Sequence, residues 1–252
     1  RSHITIGDSL EKSYNSQFSV VLGNPPWGYN YSKEETMYLL NNYRTAKSKG
    51  MESYDLFIEK GLMLLKEDGY LAYVLPEAVL SVSSHTQARE LVLKQTSFRF
   101  VDYLGNAFSG VQCPAIIFGL QKDSKGHTAG CKISGNEIDY VIQTNRELDA
   151  SLFAFNMKDD EYACIDAISH APDAHFLADN AKFALGIVTG NNKEYISSSK
   201  DYGYEMVLKG SDILRYSIKE TSNYIRFAPE SFQQVAPTEL YRAKEKLLYR
   251  FI

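Results

Sequence analysis

Cysteine is scarce in this sequence. Three cysteines occur in 252 residues, Cys113, Cys131 and Cys164, and no two of them form a C-x-x-C pair. An odd number of widely spaced thiols argues against a disulfide framework and against a thiolate zinc site. We therefore predict that the protein has no metal site and that it works in a reducing, cytoplasmic location.

Long apolar runs and a strong charge bias are also missing. No segment approaches the about 18 consecutive apolar residues of a membrane span, and no signal-peptide pattern opens the chain. Lysine and arginine number 27 against 31 acidic residues, a net charge of -4 that excludes a strongly basic, nucleic-acid-wrapping protein but allows a local basic face. We predict a soluble protein without a membrane partner. The start at Arg1 without Met and the apolar end at Phe251 and Ile252 predict a piece of a longer protein.

The first half of the chain alternates strand-like and helix-like segments. The apolar run Phe18–Gly23 stops at Asn24-Pro25-Pro26, which predicts a buried parallel strand that ends in a loop. Further strands are predicted at 70–75, 98–104 and 115–120, and helices at 54–66 and 87–95. This alternation predicts an α/β fold whose parallel or mixed sheet is covered on both faces.

The composition of the sequence changes after about residue 123, where Gly, Ser, Asn and charged residues separate short apolar runs. Residues 150–199 contain 3 basic and 7 acidic residues, whereas residues 200–252 contain 9 and 7. We therefore predict a domain boundary within 123–150, followed by a region whose C-terminal part is slightly basic.

The most informative segment is Asn24-Pro25-Pro26-Trp27. Ligands of open α/β sheets bind outside the carboxyl ends of strands, where this loop is predicted to lie. Asn24 offers an amide oxygen, Pro25 a carbonyl in a stretch without competing N–H groups, and Trp27 a flat apolar face. Two acceptors and a stacking surface suit a planar heterocycle with an exocyclic amine, whose lone pair can then attack an electrophilic methyl group. The alternative is a simple Asn-Pro turn with a core tryptophan.

The tetrapeptide resembles the catalytic (N/D)-P-P-(Y/F/W) motif of DNA adenine-N6 methyltransferases. Gly7-Asp8-Ser9-Leu10 lies upstream, and the segments 55–66, 69–76 and 107–121 resemble later motifs of that family in order. The resemblance implies an S-adenosylmethionine-dependent Rossmann-like sheet. It also implies that catalysis rests on the residues Asn24, Pro25, Pro26 and Trp27.

The same resemblance assigns three further roles. Phe108 matches the aromatic residue that packs on the flipped target base opposite Trp27, and Asp8 and Asn24 match cofactor-binding positions. Each assignment has a plainer alternative, because Phe108 could be a core residue and Asp8 a turn residue. Ser9 departs from the apolar or aromatic residue often found beside the acidic residue, which weakens the expectation of stacking on the cofactor.

One family feature is absent. None of the 16 glycines has another glycine two positions on, so the G-x-G loop that would hold the methionine part of the cofactor is missing. The motif order resembles the gamma arrangement, in which that loop precedes the catalytic motif. We therefore expect it before residue 1. We predict that residues 1–125 are a partial catalytic domain and that residues 1–252 are inactive alone.

The second half resembles the start of the target-recognition region of type IIG restriction-modification enzymes. The resemblance rests on the segments 185–193, 208–213 and 246–250. We predict a connecting segment at 126–180. Residues 181–252 are predicted to form the first part of a mixed α+β recognition region. Basic residues that can meet DNA phosphates are Lys193, Lys209, Arg215 and Arg242. For each one, a solvated charged surface is the alternative.

Together these features predict transfer of a methyl group from S-adenosylmethionine to adenine N6 of a base flipped out of double-stranded DNA, in restriction-modification or phage defence. This interpretation also predicts a fused or associated nuclease as a partner. Two other functions stay open at this point. One is a DNA-binding module without catalysis, and the other is a protein or RNA methyltransferase that uses an N-P-P-Y-like loop.

Overall fold

A computed structural model describes residues 4–12, 16–47, 50–108, 110, 113–135 and 137–250. The chain forms two compact units, residues 1–174 and residues 175–252. Within the described ranges, every helix is too short or too polar to cross a bilayer.

A six-stranded sheet forms the centre of the first unit. Its strands are β1 (Phe18–Gly23), β2 (Leu65–Pro76), β3 (Thr96–Gly105), β4 (Ala115–Lys122), β5 (Lys132–Gly135) and β6 (Ile138–Val141). They lie in the order β1-β2-β4-β3-β5-β6. The pairs β1–β2 and β3–β5 are parallel, and β4 runs antiparallel between β2 and β3. The sheet is therefore mixed, which confirms the predicted α/β class.

Four helices accompany the sheet: α1 (Lys33–Asn42), α2 (Ser53–Leu64), α3 (Thr86–Gln95) and α4 (Asp159–Ser169). The helix α1 begins with a capping box in which the Ser32 hydroxyl accepts from the Glu35 amide and the Glu35 carboxylate accepts from the Ser32 amide. The helix α2 is the crossover between the parallel strands β1 and β2. It packs so closely on β2 that a Cβ at Gly61 would lie 2.3 Å from Leu71 Cδ1, which explains a glycine in mid-helix.

The first unit continues beyond the boundary predicted within 123–150. Strand β5 pairs with β3, so the sheet itself extends past residue 123. Phe153 and Phe155 then pack on Phe98 at ring-centroid distances of 5.2 and 5.1 Å, and all three rings are buried. The segment after β4 therefore contributes strands and core to the first unit, which ends at residue 174.

Strand β1 is parallel, as predicted, but it is not buried. It pairs with β2 alone among the described residues and forms the edge of the sheet. Val20 is 52% exposed and Leu22 is 71% exposed. The prediction of a buried strand was wrong because an edge strand is paired on one side only. Val21 packs against the core, but Val20 and Leu22, on the opposite face of the strand, stay exposed.

The second unit is built from short elements around a small core. Its helices are α5 (Leu177–Asn180), α6 (Asn192–Tyr195) and α7 (Thr238–Tyr241), and its strands are β7 (Ile196–Ser197), β8 (Glu205–Met206), β9 (Ile213–Leu214), β10 (Ser217–Ile218) and β11 (Tyr224–Ile225). Tyr195, Ile225 and Phe232 form the core. The strands order as β7-β11-β8, with β9 and β10 as a separate hairpin. This mixture of helices and strands confirms the predicted α+β character.

Candidate active site

The topology brings two predicted site segments to the same edge of the sheet. Since β4 is antiparallel to both β2 and β3, the strands β1, β2 and β3 run in one direction. The carboxyl ends of these strands therefore lie together along one border of the sheet, its carboxyl edge. The loop 24–27 follows β1, and Phe108 follows β3 three residues after its last residue, Gly105. Residues 84 positions apart in sequence thus meet where ligands of open α/β sheets bind.

The loop after β1 presents two acceptor oxygens. Asn24 is exposed, Pro25 is buried and Trp27 is half-buried. Among the described residues, neither the Asn24 side chain nor the Pro25 carbonyl has a hydrogen-bond partner. No described group therefore occupies either oxygen, and each can accept from a ligand donor that reaches it, such as an N–H group of an exocyclic amine.

The two predicted stacking rings touch each other. The ring centroids of Trp27 and Phe108 lie 5.2 Å apart, with an interplanar angle of 89°. A base between two parallel faces needs about twice the 3.5–4.0 Å contact distance of carbon atoms. The observed edge-to-face contact is too close for this, so a base enters between the rings only if they separate. Phe108 is 37% exposed, which makes it the more accessible ring at this edge.

One donor in the loop is left unsatisfied. The Trp27 indole Nε1 is buried and has no hydrogen-bond partner among the described residues. A buried N–H without a partner costs about 1–3 kcal/mol, and indole N–H groups usually find one. Counted over the described residues, the conformation of the loop therefore bears this cost.

Asp8 lies in a segment that is anchored to the first unit. Its Oδ1 accepts from the Leu10 amide at 2.8 Å, as in a turn, while no partner of its Oδ2 is found in the described part of the chain. Lys60 donates to the carbonyls of Leu10 and Lys12 from α2. Burial, and secondarily the Asp8 charge, raises the pKa of Tyr31 to about 12. Asp8 thus combines the turn role of the plainer alternative with one carboxylate oxygen open to a ligand.

The sequence analysis missed a buried polar cluster next to the loop. Ser53, the first residue of α2, donates a hydrogen bond from Oγ to the Pro26 carbonyl. Asp55 and His85 form a pair with Nδ1 at 3.0 Å from each carboxylate oxygen, and His85 Nε2 lies 2.9 Å from the Tyr54 hydroxyl. The polar residues Ser53 and Asp55 within an otherwise apolar helix start were a signal for this cluster, but its partners are distant in sequence.

The predicted DNA-binding residues belong to the second unit and differ in their surroundings. Lys193 and Lys209 are exposed on α6 and before β9. Arg215 lies at the tip of the β9–β10 hairpin, its guanidinium 5.5 Å from the Tyr216 ring centroid. Arg242 forms a bidentate ion pair with Glu205, in which its guanidinium donates one hydrogen bond to each carboxylate oxygen. These hydrogen bonds lower the pKa of the Glu205 carboxyl group.

Comparison with known protein families gives two matches. Residues 3–108 match the family described as Eco57I restriction-modification methylase, and residues 205–252 match the family described as TaqI-like C-terminal specificity domain. The first match contains the loop 24–27, Asp8 and Phe108. The second contains Lys209, Arg215 and Arg242 but not Lys193.

Individual relatives agree with these matches. The type II methyltransferase M.VspI of Vibrio sp. (strain 343) is 31% identical over 85% of this chain and 52% of its own length. The type II restriction enzyme and methyltransferase RM.Eco57I of Escherichia coli is 38% identical over 31% of this chain and 8% of its own length. The chain therefore spans about half of M.VspI and a small part of RM.Eco57I.

A solved structure from Listeria monocytogenes, assigned as a class I S-adenosylmethionine-dependent methyltransferase, aligns with a TM-score of 0.40 and 18% identity. The alignment covers 64% of this chain and 45% of that protein. Residues 3–108 of this chain are thus similar to Eco57I-type restriction-modification methylases and residues 205–252 to TaqI-like C-terminal specificity domains, whereas residues 109–204 lie outside both matches.

Proposed function

We propose that this chain carries the catalytic loop of a DNA methyltransferase that methylates the N6 amine of an adenine flipped out of the duplex. The observation that carries this proposal is the pair of acceptors, Asn24 Oδ1 and the Pro25 carbonyl, that have no partner among the described residues and lie beside two aromatic rings at the carboxyl edge of the sheet. The match to the Eco57I-type methylase family supports the reaction class.

The residues of the loop act on the amine rather than on the methyl donor. If Asn24 and Pro25 each accept one N–H of the adenine amine, its lone pair is drawn out of conjugation with the ring and becomes nucleophilic. Trp27 and Phe108, once separated, hold the base by stacking and offset the stacking lost from the duplex. Alignment of these groups requires neither a metal nor a covalent intermediate.

The electrophilic methyl group would be supplied by bound S-adenosylmethionine, whose sulfonium sulfur would leave as a neutral thioether while the methylated amine releases one N–H proton. The open Oδ2 of Asp8 fits the role of acceptor for the amine of the cofactor's adenine, because carboxylates accept charge-assisted hydrogen bonds. No G-x-G segment is present to surround the methionine part. We therefore propose that residues 1–252 alone bind the cofactor weakly and transfer no methyl group.

The substrate class is tested with the full-length protein. Radiolabelled S-adenosylmethionine is supplied together with duplex DNA, with RNA, or with protein, and the label is counted in each. Label in duplex DNA alone supports the proposal. Label in RNA or protein would instead favour the methyltransferase alternative, and DNA binding without label would favour a binding module.

Phe108→Ala should weaken retention of the flipped base by about 1–3 kcal/mol, because one stacking face is lost. Trp27→Ala should have a similar effect. The fluorescence of 2-aminopurine at the target position reports base flipping, and the full-length protein should lose most of this signal in either variant. Phe155→Leu, a change at a core ring of the same unit away from this edge, is the control. An unchanged signal in Phe108→Ala would assign that ring to packing alone.

For the second unit, we propose contacts from Lys193, Lys209, Arg215 and Arg242 to DNA phosphates. Lys209 and Arg215 have no ion-pair partner among the described residues, whereas Arg242 is paired with Glu205. Two opposite charges in one pair nearly cancel in the field seen by a phosphate. Arg215 and Lys209 are therefore the stronger candidates.

Arg215→Gln should weaken binding to all DNA sequences and reduce the slope of log K against log salt by about 1, because one phosphate contact is lost. Arg242→Gln should change the slope less, since its charge is already compensated by Glu205. Salt titrations of DNA binding by the two variants make the comparison. Equal slopes for Arg215→Gln and the unmodified protein would remove Arg215 from the interface.

The biological setting is also a proposal. RM.Eco57I is described as both a restriction enzyme and a methyltransferase, which supports a fused or associated nuclease in a restriction-modification system. The three cysteines are free thiols, and Cys131 is buried. Free thiols fit the reducing cytoplasm, where such a system would meet its DNA.

A further inference from the structure

The loop 24–27 has few hydrogen bonds that could hold it in place. Pro25 and Pro26 have no N–H to donate, and the Trp27 indole N–H has no described partner. In the described part of the chain, the single hydrogen bond from the loop to another element is the one that the Pro26 carbonyl accepts from Ser53 Oγ. Among the described contacts, this hydrogen bond is therefore the polar contact that fixes the conformation of the loop.

The bond to Pro26 also constrains the carbonyl of Pro25. The peptide plane between the two prolines is rigid, and the Pro26 ring fixes φ near -65°. Only the ψ torsion of Pro26 separates the two carbonyl directions. A donor that holds the Pro26 carbonyl therefore limits the orientation of the Pro25 carbonyl, the acceptor that we assign to the reacting amine.

Ser53 is itself held in a dry, rigid position. Its side chain is fully buried at the first residue of α2, and the next two residues, Tyr54 and Asp55, belong to the buried cluster with His85. Burial raises the pKa of Tyr54, so its hydroxyl keeps its proton and can donate to His85 Nε2. His85 Nδ1–H then donates to Asp55. This chain of bonds ties the first turn of α2 to the segment that carries His85.

A second layer holds that segment. Arg89 is buried, and its guanidinium donates to the carbonyls of Val79 and Val82 at 2.7 and 2.9 Å and to that of Ala150 at 2.6 Å. The turn that leads into His85 is thereby tied to the core. The side chains of this network are all buried, so a substrate at the loop would not contact them directly.

We propose that Ser53 is a positioning residue that sets the direction of the Pro25 carbonyl through its hydrogen bond to Pro26, and that the Asp55–His85–Tyr54 cluster keeps Ser53 in place. The inference rests on the proposed function for the meaning of the Pro25 carbonyl. The positioning itself is independent of that function and has its own readout.

Trp27 provides this readout, because it is the one tryptophan in the sequence and directly follows Pro26. In Ser53→Ala, the released loop should expose Trp27, which shifts its emission to longer wavelength and raises acrylamide quenching. Ser97→Ala is the matched control. Ser97 is also fully buried and donates to Asp123 at 2.8 Å, but it lies at the amino end of β3, away from the loop.

Kinetics of the full-length enzyme give the second measurement. Ser53→Ala should lower kcat about tenfold, the effect of one lost hydrogen bond, while KM for DNA stays nearly constant. If Ser53→Ala does not fold, Ser53→Cys leaves no cavity, is only slightly larger and has a weaker donor. It should shift the Trp27 emission in the same direction. Ser97→Ala should leave kcat and the Trp27 emission unchanged.

The outcomes separate the two proposals. The positioning role would be overturned if the Ser53→Ala or Ser53→Cys variant has the same Trp27 emission and the same kcat as the unmodified protein. If the emission shifts while Asn24→Ala retains full turnover, Ser53 positions the loop but the loop is not the catalytic site. If Asn24→Ala loses turnover and the Ser53 variants change neither signal, the proposed function stands and this inference fails.

Discussion

Asn24→Ala should slow methyl transfer by the full-length enzyme by about 10²–10³-fold, because the variant lacks one preorganised acceptor for the reacting amine. The effect should appear in kcat, since the acceptor acts most strongly as positive charge develops on the amine nitrogen. Binding of duplex DNA should stay unchanged. Asn24 is exposed and its side chain has no hydrogen-bond partner among the described residues, so its removal should not cost folding stability.

Two further variants sharpen this result. Asn24→Asp keeps an acceptor oxygen at the same position and should retain more activity than Asn24→Ala. Asn42→Ala removes an exposed asparagine that donates to the Tyr38 carbonyl at the end of α1, away from the loop, and should leave turnover intact. Single-turnover rates of the three variants with a methylatable duplex provide the comparison. Near-normal turnover by Asn24→Ala would reject the assigned role.

Exchange of the second unit should move methylation to a different DNA sequence. We expect chemistry to belong to the first unit and sequence choice to the second, whose residues 205–252 match a specificity domain. Residues from 175 onward, together with the rest of the native recognition region, are replaced by those of a relative with another site. Sequencing of methylated adenines should then show the relative's site, and methylation that stays at the original sequence would contradict this division.

The stability of such a chimera should depend on the residue at which the two proteins are joined. A cut after residue 174 follows the division between the compact units. A cut after residue 125 would remove β5, β6 and the buried rings of Phe153 and Phe155 from the first unit. Loss of such core residues costs about 3–5 kcal/mol each, so we expect the chimera joined at 125 to be insoluble or unfolded. Equal stability of both chimeras would show that 126–174 is dispensable for the first unit.

The strands and helices with strong apolar periodicity were predictable from the sequence. Strand β1 has its predicted bounds, α2 begins one residue and ends two residues earlier than predicted, and α3 begins one residue earlier and ends where predicted, because their apolar spacing continues close to the end of each element. The helix α1 was missed because Leu39 is its one fully buried residue, so its pattern shows almost no apolar face. Its capping box at Ser32 and Glu35 was the available signal.

The candidate site was predictable where it depends on local motifs and not where it depends on distant contacts. The loop 24–27 and the edge of the sheet on which it lies follow from an apolar strand that ends in Asn-Pro. The contact of Ser53 with Pro26 joins residues 27 positions apart, and that of His85 with Asp55 joins residues 30 apart. Such pairings arise from the packing of α2 on the sheet, which no single segment encodes. The exposure of β1 was likewise invisible, because an apolar run does not reveal which strand forms an edge.

The identity of the methylated nucleoside is the most direct test of the central claim that Asn24 and Pro25 activate the amine of adenine. Duplex DNA is incubated with the full-length protein and S-adenosylmethionine, digested to nucleosides and analysed by mass spectrometry, with Asn24→Ala as the paired sample. We expect N6-methyldeoxyadenosine from the unmodified protein and almost none from the variant. N4-methyldeoxycytidine, or N6-methyldeoxyadenosine in equal amounts from both proteins, would contradict the account.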